Sequence, residues 1–163
     1  MLAVKAGVPN AIVEARHRLQ IRVYYEDTDF SGRVYHASYL RFLERGRTEF
    51  LRELGIEHRT SFCGNGGRGF YFVVRSISVD FLKPALMDDE LMILTGISSL
   101  AGASVGMVQE IQRGYDTLVT AGVRVAVIVN GKARRIPPEV VAKLMAASAS
   151  AMSMARPNPR STS

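Results

Sequence analysis

The chain has 163 residues, 47% hydrophobic and 22% charged, with 21 basic against 15 acidic side chains for a formal net charge of +6. That length suits one domain with a core large enough to need no disulfide or metal staple, and the composition excludes global disorder, collagen-like and coiled-coil architectures. The excess charge sits at the ends, in Lys5, Arg16 and Arg18 and then in Lys132, Arg134, Arg135, Lys143, Arg156 and Arg160. A nearly neutral middle of this kind does not fit a nucleic-acid binder.

In chain order, residues 1–18 form a weakly patterned extension. Lys5, Pro9, Asn10 and Glu14 interrupt its apolar positions, so no secretory signal is read there. From Arg18 to Tyr25, Leu19, Ile21 and Val23 alternate with polar residues and predict a first strand. Glu26 to Gly32 is rich in turn formers. Ser38 to Leu54 predicts a long helix, with Tyr39, Phe42, Leu43, Gly46, Phe50 and Leu54 on one face. Ser38 reads as its N-cap and Gly55 as its left-handed stop. Gly46 is costly inside a helix and implies that another backbone packs close there.

A Gly-rich loop, Gly64 to Gly69, leads into strands. Ile77, Val79 and Phe81 alternate with Ser76, Ser78 and Asp80, giving one apolar and one wet face, and Pro84 ends that strand. Glu90 to Ser98, Ala103 to Arg113 and Thr117 to Val129 predict three more, with turns at Ser99–Gly102 and Gly114–Asp116. The longest uncharged run, Leu91 to Gln109, carries Thr95, three Gly and three Ser and reads as two strands around a turn, not a membrane span. Pro137-Pro138-Glu139 starts a short helix through about Ala147. The order predicts an α+β domain over residues 19–148, about five antiparallel strands covered by one helix, followed by a flexible tail, 149–163.

Most polar residues have a surface explanation, but residues 24–39, Tyr-Tyr-Glu-Asp-Thr-Asp-Phe-Ser-Gly-Arg-Val-Tyr-His-Ala-Ser-Tyr, invite chemistry. Three acids precede a helix start, and a helix N-terminus presents unpaired N–H groups and a positive dipole end. A carbonyl placed there is polarised, and a carboxylate across from it can activate water or attack the carbon itself. Gly32 permits a tight turn, His36 can donate a hydrogen bond or orient water, and Tyr25 can fix the carboxylate. The plain reading makes Glu26 and Asp27 solvated turn acids and Asp29 a loop-stabilising side chain. Asp88-Asp89-Glu90 likewise reads as a solvated turn.

The stretch Val23-Tyr24-Tyr25-Glu26-Asp27-Thr28-Asp29, Gly32, Val34-Tyr35-His36-Ala37-Ser38-Tyr39 and Phe42 to Glu49 resembles the hotdog-fold acyl-CoA thioesterases related to 4-hydroxybenzoyl-CoA thioesterase. Phe72 to Arg75, Val79-Asp80-Phe81, Pro84-Ala85 and Asp88-Asp89 are similar as well. The likeness spans about Leu19 to Pro138 and looks closest to the branch associated with the Tol–Pal cell-envelope system of Gram-negative bacteria. It implies a curved antiparallel sheet wrapped around one helix, and hydrolysis of acyl-CoA or acyl-carrier-protein thioesters. It also implies homodimers or homotetramers with active sites at subunit interfaces. Asp29 matches the family's essential carboxylate, as general base or nucleophile; His36 and Tyr25 match its histidine and tyrosine. The amide that polarises the carbonyl falls near Tyr35 and His36, with Gly32 and Val34 beside the substrate. The Gly-rich loop departs from the pattern and bears on substrate preference.

Lys132, Arg134 and Arg135 read equally as a basic loop and as contacts to the phosphates of coenzyme A. Cys63 has no partner nearby in sequence for a nucleophile role, His17 and His58 read as surface residues, and no His/Cys cluster has metal-ligand spacing. The expectation is therefore a cytoplasmic thioester hydrolase without metal or cofactor, coenzyme A entering only as part of the substrate. A non-catalytic acyl-thioester or acyl-carrier-protein binding module is the alternative, and a dehydratase on the same fold a third.

Overall fold

The computed structural model describes residues 17–56 and 69–154, with side chains to Ser148. Residues 1–16 of the N-terminal extension, His58, Cys63, most of the Gly-rich loop and residues 155–163 lie outside the described residues. Six strands, β1 (His17–Arg22), β2 (Phe70–Phe81), β3 (Glu90–Ala101), β4 (Ser104–Arg113), β5 (Asp116–Val129) and β6 (Lys132–Ala133), form one antiparallel sheet. Its order is β1-β3-β4-β5-β2, and β6 folds back onto β5. The extra strand is a two-residue pairing inside the basic segment, too short to leave a period in the sequence. Helix α1 (His36–Glu53) lies across the sheet, and α2 (Pro138–Met154) continues past Ala147.

The apolar stripe of α1 explains its seat. Tyr39, Phe42, Leu43, Gly46 and Phe50 are buried, and the helix packs chiefly on β1, β3 and β4. Gly46 marks the closest approach. A Cβ there would lie 2.7 Å from Ile93 Cγ2, 3.0 Å from Thr95 Oγ1 and 3.2 Å from Gln109 Nε2. What presses on Gly46 is thus a set of strand side chains, not the second backbone that sequence implied. Helix α2 closes one end, where Val140 and Leu144 join Phe50, Leu51, Ile56 and Met107, and Lys143 Nζ donates to the Gly55 carbonyl (2.9 Å).

Several local expectations are corrected. The N-cap of α1 is Tyr35, and Ser38 is buried inside the helix. Tertiary backbone bonds replace a side-chain cap: Tyr35 N–H donates to the Asp27 carbonyl (2.9 Å) and Val34 N–H to the Ala85 carbonyl (2.9 Å). His17 is not a free surface group, since its ring packs against Phe50 and its Nε2 lies 3.1 Å from Glu53. Asp89 accepts hydrogen bonds from Leu86 N–H (2.8 Å) and Arg113 (2.6 Å), so it fastens the loop before β3. The alternating face of β2 is only half covered: Val74, Ile77 and Phe81 stay exposed because α1 leans toward the other edge of the sheet.

Candidate active site

The acidic turn is built from short local bonds. After β1 the chain turns through a 3-10 helix, Tyr25–Asp27, and forms a narrow loop in which Asp29 N–H donates to the Arg33 carbonyl (2.8 Å) and Gly32 N–H to the Asp29 carbonyl (3.0 Å). Gly32 adopts φ +75°, a conformation that glycine enters without steric cost. Asp27, expected to be solvated, is 3% exposed and braces the loop: its Oδ2 accepts from Tyr24 N–H (2.9 Å) while its carbonyl receives Tyr35 N–H. A carboxylate placed three residues after an amide it can cap is satisfied by that N–H in place of water, which lets it be buried.

Asp29 is the exposed acid of the pair. Its Oδ1 accepts from Ser31 Oγ (2.6 Å) and Ser31 N–H (2.8 Å), which fixes the carboxylate, and the Arg33 backbone N–H acts on it as well. The Ser31 hydroxyl, then the Ser31 amide and the charge of Arg33, hold its pKa below the ordinary carboxylate value. Asp29 faces a groove of about 400 Å³. Val34, Tyr35 and His36 form one wall with it, and Phe81 to Pro84 form the other.

At the helix start the two candidate amides separate. Tyr35 N–H is engaged by Asp27, so of the two the His36 amide is the one without an acceptor among the described residues at the N-terminus of α1. The His36 ring packs on Tyr35 with centroids 4.3 Å apart. Tyr39, one turn on, lines the same groove; its hydroxyl accepts the Ala85 N–H (2.8 Å), its ring meets Phe81 at 5.6 Å, and burial raises its pKa. Sequence placed Tyr39 on the core stripe only. Its signal as a groove residue was a hydroxyl on the helix face that also carries His36.

Other expected site residues stand apart. Tyr25 is 80% exposed and outside the groove lining, and among the described residues its carbonyl alone is bonded, by Thr28. The carboxylate partner is Ser31 in its place, because β1 stops at Arg22 and Tyr25 falls in the 3-10 turn. Gly32 shapes the loop without lining the groove. Lys132, Arg134 and Arg135 are exposed beside the Val129 end of β5, which pairs with Phe70, whereas the groove is at the Phe81 end of β2. At strand rise these ends lie roughly 35 Å apart, so the three cations cannot serve the groove of their own chain as close neighbours of Asp29.

Residues 23–144 match the thioesterase-like superfamily. The chain belongs to this family. It is 41% identical over 124 residues to the acyl-CoA thioesterase YbgC of Haemophilus influenzae, covering 75% of this chain and 89% of that protein. Identity to the acyl-CoA thioester hydrolase YbgC of Escherichia coli is also 41%, over 129 residues, 77% of this chain and 93% of the relative. A probable thioesterase from Bartonella henselae superposes with a TM-score of 0.72 at 50% identity, over 76% of this chain and all of that one. The match of fold and family encloses every element that builds the groove, from the Asp29 turn through the start of α1 to the end of β2.

Proposed function

We infer that this chain is an acyl-CoA thioesterase that hydrolyses the thioester to free acid and thiol, using Asp29 and the N-terminus of α1. The observation that carries this reading is the single groove wall holding a fixed, ionised carboxylate and the open His36 amide. The thioester oxygen accepts the His36 N–H, so charge developing in the tetrahedral intermediate is met by a donor already in place. Asp29 Oδ2 takes a proton from water as its oxygen attacks the carbonyl carbon; collapse expels the thiolate, which is then protonated. The His36 ring and Tyr35 shape the acyl side of the groove. The reaction consumes only water, and coenzyme A or the pantetheine arm of an acyl carrier protein leaves as the thiol. No helix among the described residues is long and apolar enough to cross a membrane, in keeping with a cytoplasmic enzyme of the Tol–Pal-associated branch. Incubation with acyl-CoAs of graded length tests the activity: release of free thiol supports it, and tight binding without release favours the binding-module reading.

The assembly follows from β2. It is the last strand of the sheet among the described residues and its inner face exposes Val74, Ile77 and Phe81, so a second copy pairing antiparallel through β2 covers that face. Such pairing sets the Phe70 end of one strand beside the Phe81 end of the other. The basic hairpin of one copy then approaches the groove of its partner, where the phosphates of coenzyme A leave it. Replacing Arg134 and Arg135 with alanine is expected to raise KM for acyl-CoA several-fold while sparing acyl-pantetheine; equal effects on both esters would remove this role.

A further inference from the structure

Arg47 is a buried cation that the hydrolytic step does not use. It is 9% exposed, and its one side-chain hydrogen bond among the described residues runs from Nη1 to the uncharged Gln109 Oε1 (3.0 Å). Gln109 is itself committed through Nε2 to the Leu43 carbonyl and Thr95 Oγ1, both at 2.9 Å. Among the described residues no carboxylate forms an ion pair with Arg47; burial depresses its pKa and the charge of Glu44 opposes that. The guanidinium borders a cavity of about 160 Å³ between α1 and β2, shared with Glu44, Thr48, Phe72 and Val74.

This cavity lies in line with the reaction groove. The inward face of β2 runs from Phe81, at the groove, through Val79 and Ile77 to Val74 and Phe72, at the cavity. Opposite it α1 runs from His36 to Glu44 and Arg47, about 12–16 Å at helical rise. An acyl chain leaving the carbonyl site can lie along this exposed apolar face of β2, over a medium-chain length, and reach two charges. A methyl end there would cover the guanidinium and leave it with the uncharged Gln109 Oε1 as its hydrogen-bond acceptor among the described residues. A hydroxyl end fits both groups: Arg47 donates to it, and it donates to Glu44, whose Oε1 holds the Thr48 hydroxyl (2.8 Å) while its other oxygen has no partner among the described residues.

We propose that the gutter between α1 and β2 is the acyl channel and that Arg47 and Glu44 at its far end select medium-length acyl thioesters with a terminal hydroxyl. The inference rests on the thioesterase reading of the Asp29 groove. The test compares kcat/KM of the full chain for decanoyl-CoA and ω-hydroxydecanoyl-CoA. A preference of about tenfold or more for the hydroxylated ester is expected, as for a buried hydrogen bond to charged groups. Arg47→Met should bring the ratio to unity or below, and Glu44→Gln, at a more exposed position, should reduce it. The ratio within each protein separates selection from misfolding, which lowers both rates together. If Arg47→Met does not fold, the wild-type ratio and Glu44→Gln decide. Hydrolysis with no preference overturns the proposal and leaves the thioesterase reading intact. If no ester is hydrolysed, that reading fails; binding of the two thioether analogues then decides the channel, discrimination supporting it and equal affinity overturning it.

Discussion

Helix α1 carries two polar centres of opposite construction. At its N-terminus, Asp29 is exposed and held by Ser31 two residues away. In its middle, Arg47, Gln109 and Thr95 are buried and joined across helix and sheet by residues far apart in sequence. The first keeps a carboxylate ionised and hydrated at little cost to the fold. The second leaves few groups unsatisfied in a low-dielectric interior, where every lost partner is expensive. Chemistry at the exposed centre and architecture at the buried one should therefore respond to mutation in different measurements.

The largest stability effect is expected at Gln109. Gln109→Leu removes the one side-chain hydrogen bond of Arg47 among the described residues along with the partner of Thr95, and should cost about 2–4 kcal/mol in urea unfolding. A loss below about 0.5 kcal/mol would show that the buried centre is not structural. The smaller effect belongs to Ser31→Ala. Ser31 lowers the Asp29 pKa, and the proposed mechanism requires the ionised form, so the rate is expected to fall as pH drops through that pKa. Without the hydroxyl the acid limb of the kcat/KM profile should move to higher pH, with little change near neutrality, where the carboxylate is ionised in both proteins, and an unchanged unfolding midpoint. An unmoved acid limb would separate Ser31 from the site.

What was legible in the sequence was local. The 3.6-residue stripe from Tyr39 to Phe50 gave α1, the alternation of Val123, Val125 and Val127 gave β5, and the acidic turn before the helix marked the groove. What escaped was set by contacts over long separations. Asp27 is buried because α1 begins against its carbonyl, and no property of an Asp-Thr-Asp triplet says which acid faces water. Ser38 lost the cap position to Tyr35 because backbone bonds from Asp27 and Ala85 start the helix earlier. The distance of Lys132, Arg134 and Arg135 from Asp29 follows from the register of β2 on β5, which periodicity alone does not reveal.

The proposed hydrolysis depends on the charge of Asp29 acting beside the His36 amide. Asp29→Asn preserves the side-chain shape, and its Oδ1 can still accept the Ser31 bonds, but it removes the base. Measuring kcat for thiol release from an acyl-CoA together with the unfolding midpoint is the most direct test. A loss of about 10²–10⁴-fold in kcat with an unchanged midpoint is expected; near-wild-type turnover in the folded variant would contradict the proposed role of Asp29.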